Sequence, residues 1–477
     1  VRWILNESEQ SFLVASSRNI QQSREKIGKG ARFQVGPTVY RGLWIVDGYF
    51  LLEAARFLGM DEDARIGLAS LWDLQQPDGG FRSGAGEGHW KDTPAALLTL
   101  ARQADLSQNW GFFIDAWPAC RLAVSHLVQL RDGCRNDGTP NGNYGLLPPG
   151  FGDSGIGGTR FELANTLWTL IGLNGLLDVA TRLRLPGCDA ISSFAGELRQ
   201  AFDRAASDSM SHHPDGFPFL PLLMKGDPGW NNPDPRLRIR PQAAQIYLSH
   251  AITPGDLFPR HEAIVGGYKR LLRSILREEI PSETGWLRSD AVWPYSAAIF
   301  AESILALGDP HFARSLFRGF LNHASPLRAW REEQSIQGIV PASFVGDMPH
   351  NWASAECIRF LRNMLVLEDG ASLSLAGGLI PSDAESRRPL GLESSPTKWG
   401  RVSLLIEPSG RTGWSMSYRR RDFDVSRMPE LRTVAIPARL FDAVGFDRVS
   451  GAGWKRTESL IIIDPASIGW TAAWNES

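Results

Sequence analysis

From the N-terminus to about residue 367, apolar residues recur at helical spacing, broken by Gly- and Pro-rich loops. The pattern predicts helices over 8–26, 44–58, 61–76, 92–104, 111–133, 161–182, 187–208, 238–251, 259–275, 291–307, 309–323 and 350–366. Their links alternate in length. "GMDED", "RLPG" and "GDP" are short, whereas 77–91, 134–160, 210–237, 276–290 and 324–349 are long. Short links join antiparallel neighbours, and long loops inside a compact domain usually carry function. The chain therefore reads as six helical hairpins closed into an (α/α)6 toroid, with its elaborate loops at one end. No repeating sequence period supports an open solenoid.

Past residue 367 the pattern changes to short β-type runs between turn signals, such as "ASLSLAGGLI", "RVSLLIE", "GWSMSYRR" and "ESLIIID". Alternation of this kind predicts a small C-terminal antiparallel β-sandwich. The expected fold class is thus mainly α, with a toroid domain at 1–367 and a β-sandwich accessory domain at 368–477.

Composition narrows the function classes. At 477 residues, 43% hydrophobic and 21% charged, the chain is an ordinary globular protein of two or three domains. A formal net charge of −2 offers no pull towards nucleic acid or an anionic membrane. No apolar stretch reaches the roughly 18–20 residues of a membrane span, and no basic-then-apolar leader opens the chain. A first residue of Val suits a processed or partial chain. The compartment stays open, with the cytoplasm favoured, and so does the oligomeric state. Cys120, Cys134, Cys188 and Cys357 are scattered without a CxxC pair, which predicts reduced structural thiols and no zinc site. No cofactor or metal is expected.

The 17 Trp residues change the picture more. Trp is a large core anchor, but its flat face also packs on the C–H faces of sugars. In "RGLWIVDGYF", Trp44 and Asp47 are three residues apart on a first helical turn and share a face, with Arg41 just ahead. "GHWKDTPAALL" sets Trp90, Lys91 and Asp92 at a helix entrance, where Asp92 serves equally as an N-cap. "SETGWLRSDAVWPYSAAIF" gathers Trp286, Arg288, Asp290 and Trp293 at one loop–helix junction. "RAWREEQSIQG" puts Glu332 and Glu333 beside Trp330. Glu162 follows a Gly-rich loop at the first turn of a helix, where an acidic residue also suits the helix dipole.

Two carboxyl groups roughly 6.5–9.5 Å apart are the machinery of inverting glycoside hydrolysis. One is held protonated by an apolar surround and protonates the leaving oxygen; the other activates water. Glu162 as acid and Glu333 as base fit those roles, with Asp153 and Glu332 in reserve. Trp44, Asp47, Arg41, Trp90, Asp92, Trp286, Arg288, Asp290, Trp330 and Glu332 are the expected sugar-binding set. No Ser-His-Asp pattern, HExxH motif or histidine cluster competes.

In this arrangement the chain resembles the (α/α)6 glycoside hydrolases, most closely the glucoamylase-like ones. Trp44 and Asp47 match their W-x-x-D start to the second helix. Glu162 stands where their acid enters the sixth helix, and Glu333-Gln334 where their base precedes the last helix, with "PHNWASAE" following. The resemblance implies an exo-acting hydrolase of a carbohydrate or glycoside. Val46 stands where glucoamylases have Arg. The trailing "LAGGLIPSD" and "SPTKWGRVSLLIE" are similar to the C-terminal sandwich of α-L-rhamnosidases, without the acidic, Trp-bearing signature around their general acid. Three rivals remain: a polysaccharide lyase, a terpene cyclase-type toroid (suggested by "LQQPDGGF", though no DxDD or DDxxD is present), and a non-catalytic sugar-binding protein.

Overall fold

Residues 45–57 are apolar on almost every side, and a helix of that kind must be covered all round. The structure, a computed structural model, describes residues 1–27, 30–83, 88–152, 158–230, 245–258, 262–282, 284–285, 291–336, 346–441 and 446–474. Its helices are α1 (Glu7–Gln22), α2 (Ile45–Phe57), α3 (Asp61–Trp72), α4 (Asp92–Ser107), α5 (Gly111–Asp115), α6 (Trp117–Cys134) and α7 (Pro140–Tyr144). They continue with α8 (Ala164–Arg182), α9 (Cys188–Ser209), α10 (Gln245–Ile252), α11 (Ala263–Ser274), α12 (Pro294–Ala306), α13 (Pro310–Asn322) and α14 (Asn351–Asn363).

Packing closes a cycle: α2 lies on α4, α4 on α8, α8 on α10, α10 on α12, α12 on α14, and α14 returns to α2. Of these inner helices, α2 buries every residue except Asp47, and α12 buries all of its residues. The outer layer is amphipathic. Helix α13 covers α12 with Phe312, Ala313, Leu316, Phe317 and Phe320, one face at helical spacing, and turns Arg318 outward, while Arg314 is largely buried against Glu9 and Asp383. Each fully covered Phe or Leu contributes about 1.5–3 kcal/mol. Helices α4 and α8 approach closely because Gly172 faces Pro94; a Cβ at that position would overlap the Pro94 carbonyl.

Each helix expected from the sequence has a counterpart. The run 111–133 is divided at Ala116 into α5 and α6, with a proline in the first turn of α6; proline has no amide to continue a preceding helix. Helix α7, expected as loop, is one short turn capped by the Thr139 side chain and ended by Gly145 at φ 79°. The expected starts of the helices matching α10 and α11, 238–244 and 259–261, lie outside the described residues.

The β-region holds two sheets. One orders Arg2–Ile4, Leu390–Thr397, Gly400–Ser409, Gly413–Arg421, Gly469–Trp474 and Phe446–Ser450, antiparallel throughout. The other orders Val366–Asp369, Ser372–Leu375, Thr433–Pro437, Leu460–Ile463 and Trp454–Arg456, and its pairing of Ser372–Leu375 with Thr433–Pro437 is parallel. The N-terminal strand therefore completes a sheet built from the other end of the chain.

Beneath the helix ring, buried ions join the layers. Glu53 accepts from Arg102 Nε at 2.6 Å and Arg359 Nε at 2.5 Å, and Glu368 accepts from Arg102 Nη2 at 2.7 Å and Arg362 Nη2 at 3.0 Å. Removing one partner of such a pair costs roughly 3–5 kcal/mol, because a charge is left buried. Among the described residues, no helix is long and apolar enough to cross a membrane.

Candidate active site

Five of the six inner helices present their N-terminal ends, and the long loops before them, to one cavity of about 360 Å³. That size falls at the lower end of the ~300–1,000 Å³ usual for ligand pockets. Val35, Tyr40 and Trp44 come from the approach to α2, and Ser83, His89 and Lys91 from the approach to α4. Phe151, Gly158 and Thr159 precede α8, Trp293 precedes α12, and Glu332 and His350 precede α14. Ile246, Tyr247 and His250 of α10, with Trp168, Tyr295 and Trp352, complete the wall.

Trp44 and Asp47 both line this cavity, at the N-cap and first turn of α2. The Trp44 ring meets Tyr40 edge-on at 5.3 Å. Asp92, in the first turn of α4, also lines it and accepts from Ser83 N at 3.0 Å and Ser83 Oγ at 2.8 Å. First-turn positions suit both aspartates, since the helix dipole favours negative charge there.

Glu332 and Glu333 part company. Glu332 reaches the cavity and accepts from the Tyr40 hydroxyl at 3.3 Å, while Glu333 turns its carboxylate towards Gly285 and Ala291. Both residues lie in a bend just before the short strand Gln334–Ser335, and the two carboxylates leave it in different directions. Gly346, at φ 88°, makes room for Glu332; a Cβ there would overlap its carboxylate. The adjacent Asp347 accepts from the amides of Thr38 at 2.9 Å, Val39 at 2.7 Å and Tyr40 at 2.7 Å, and from the Thr38 hydroxyl. Burial alone would raise the Asp347 carboxyl; the Thr38 hydroxyl and these amides outweigh it and hold it below the usual range. One aspartate thereby ties the Tyr40 turn to the Glu332 loop.

Several expected site residues lie off the cavity wall. Glu162 is 1% exposed, and its carboxylate accepts from Asn165 N at 3.1 Å and Asn165 Nδ2 at 2.6 Å. Burial pushes this carboxyl above its ordinary range despite Asn165 and the nearby Lys91 charge. Asn165 Oδ1 in turn accepts from Lys91 N at 2.8 Å, so Glu162 helps fasten the α4 approach to α8. Trp330 is a core residue: its indole stacks on Phe320 at 4.2 Å and donates to the Phe320 carbonyl at 2.8 Å. Trp90 donates to the Pro149 carbonyl at 3.2 Å, within the loop packing. Arg41 lies on the surface, paired with Glu25 at 3.1 Å. Trp286, Arg288, Asp290 and Asp153 lie outside the described residues.

The sequence offered little signal for the rest of the wall. Phe50 and His250 both lie parallel to Trp352, at 5.0 and 5.9 Å. The Trp352 indole is oriented by donation to Glu356 Oε1 at 2.8 Å, and Arg359 holds Glu356 from below at 2.5 Å. On the other side Trp293, Tyr295 and His350 form a stacked column, with ring centroids 5.8 and 4.8 Å apart. Trp352 was legible only as part of "PHNWASAE"; His250 sits in an apolar helical run and reads there as a core residue. Among the described residues no three His, Cys, Asp or Glu side chains converge as a metal-ligand set. The cysteines are free thiols.

The fold is shared with known glycosidases. One, a glycosidase solved in complex with glucose, matches 76% of this chain and 99% of its own at a TM-score of 0.55 and 13% identity. The Streptomyces avermitilis α-L-rhamnosidase complexed with L-rhamnose matches 99% of this chain at a TM-score of 0.61 and 13% identity, across 42% of its own length. A bacterial glucoamylase complexed with acarbose matches 75% of this chain and 56% of its own, with a TM-score of 0.54 and 12% identity. The chain thus spans under half of the rhamnosidase and nearly all of the first glycosidase. No family model and no characterised protein matches the sequence itself.

Proposed function

We propose that the protein is an exo-acting, inverting glycoside hydrolase, its closed helix cycle an (α/α)6 toroid domain of residues 1–367 beside an accessory β-domain of 368–477. The cavity carries this reading. Asp47, Asp92 and Glu332 stand on its wall, and aromatic side chains share that wall with them, on a fold shared with glycosidases.

In this reading Glu332 is the general base, supported by its place beside Tyr40, and Glu333 is the control. The acid belongs to segment 150–162, whose carboxyl groups are Asp153 and Glu162. Burial gives Glu162 the raised proton affinity an acid needs, whereas both its oxygens are engaged by Asn165; Asp153→Asn and Glu162→Gln separate the two. Trp44, Asp47, Asp92 and Trp293 grip the sugar, with Trp286, Arg288 and Asp290 on the adjoining segment. The deciding experiment is a panel of aryl glycosides, glucosides and rhamnosides first, with proton NMR of the first-formed anomer. Cleavage with inversion supports the proposal, and failure to cleave any glycoside overturns it.

The engaged state of Glu162 favours one other reading, a non-catalytic sugar-binding protein. It predicts sugar binding by the wild type without turnover.

A further inference from the structure

His250 stands apart from the other polar groups of the cavity. It is 2% exposed, lines the cavity from α10, and neither ring nitrogen has a hydrogen-bond partner among the described residues. Its surround is aromatic: Phe50 and Trp168, each with its centroid 5.1 Å away, and Trp352 at 5.9 Å. The neighbouring polar side chain, Ser249, is fully engaged by the Gln245 carbonyl and Tyr268. An imidazole buried with both nitrogens unmet forgoes hydrogen bonds that water would supply, at about 1–3 kcal/mol for each group. Phenylalanine would fill the same aromatic box without that cost.

We infer that His250 is a sugar-reading residue, hydrogen-bonding the hydroxyls on the C-3/C-4 edge of the terminal pyranose from the α10 side of the cavity. This rests on the glycosidase reading and deepens it. Burial, reinforced by the Arg359 charge, pushes the imidazole down to about 3, so the ring is neutral at ordinary pH. A neutral imidazole has one donor and one acceptor. That pair matches hydroxyls, which both give and accept, and suits neither a carboxylate nor a phosphate, which offer only acceptors. Position selects the edge. The anomeric carbon must meet Glu332, which is carried by a loop at the entrance beside Tyr40. His250 lies at the level of Phe50, one helical turn below Asp47 on α2. Across a pyranose ring from C-1 lie C-3 and C-4.

The test uses whichever of D-glucose and L-rhamnose, or the other sugars released from the aryl panel, the full-length protein binds. Its affinity is compared with those of the 3-deoxy and 4-deoxy forms by tryptophan fluorescence and calorimetry, in wild type, His250→Phe and His250→Gln. Wild type should bind the parent sugar at least ~10-fold more tightly than a deoxy form, as one lost hydrogen bond to a buried group requires. His250→Phe should lose that factor for the parent and bind parent and deoxy sugars alike, while His250→Gln, with donor and acceptor restored, should recover part of it. A purely packing role would leave the discrimination unchanged in the Phe variant. Wild type indifferent to both deoxy changes, an arm that needs no variant, overturns the assignment. So does a folded His250→Phe protein that still discriminates. If no sugar binds to wild type, the glycosidase reading falls along with it; if wild type cleaves a glycoside but ignores the deoxy changes, only the His250 assignment falls.

Discussion

Tyr40 donates its hydroxyl to Glu332 Oε1 over 3.3 Å, joining the approach to α2 to the approach to α14 across the mouth of the cavity. Their separation of 292 residues makes the pairing a product of ring closure. If Glu332 is the base, Glu332→Gln should lower kcat roughly 10²–10⁴-fold, the usual range for a lost acid/base group, with KM little changed. Glu333→Gln should keep most activity. Initial rates on the cleaved aryl glycoside decide the matter, and reversed effects would move the base to Glu333.

Asp347 holds the same two segments together through three backbone amides and a hydroxyl. Hydrogen bonds to a charged acceptor contribute about 1.5–3 kcal/mol each, and they are not additive. Asp347→Ala should therefore cost on the order of 3 kcal/mol in urea unfolding and raise KM by displacing Tyr40. Unaltered stability would show that the turn holds its shape without the aspartate.

Trp330 and Trp44 should behave oppositely. Trp330→Ala removes a fully buried ring, at roughly 3–5 kcal/mol of stability, and should leave the sugar affinity of the folded fraction intact. Trp44→Ala should weaken sugar binding with a much smaller loss of stability. Arg41→Ala should alter both little, since exposed ion pairs contribute about 0–1 kcal/mol. Paired thermal melts and sugar titrations test all three; weaker binding by folded Trp330→Ala would place that ring in the site after all.

His250 and His350 are both held down to about 3, chiefly by burial, with Arg359 lowering the first further and Asp347 partly opposing the shift in the second. The unfolded chain takes up those protons near 6.5, whereas the folded protein does not. Stability is thus fully present above pH ~6.5 and declines as pH falls towards 3, by up to about 1.4 kcal/mol per pH unit for each histidine. His250→Phe should flatten that slope by one proton in chemical denaturation between pH 6.5 and 4. An unchanged slope would mean that His250 is protonated in the folded state.

Local periodicity was enough to locate the helices, because an inner helix is apolar all round and an outer one along a stripe, whatever its neighbours are. Alternation likewise marked the β-runs, and a three-residue spacing put Trp44 and Asp47 on one face, where both meet the cavity. What the sequence could not carry was direction across the ring. Glu332 and Glu333 are equivalent as letters, and the bend they share before Gln334 decides which carboxylate faces inward. Glu162 and Trp330 read as site residues by type and place, yet neither lines the cavity: Asn165, three residues on, engages the Glu162 carboxylate, and Phe320 takes the Trp330 ring into the core. His250 looked like one more core histidine until α2, α8 and α14 brought Phe50, Trp168 and Trp352 around it. Those rings are far from it in sequence, and their convergence is a property of the closed helix cycle alone.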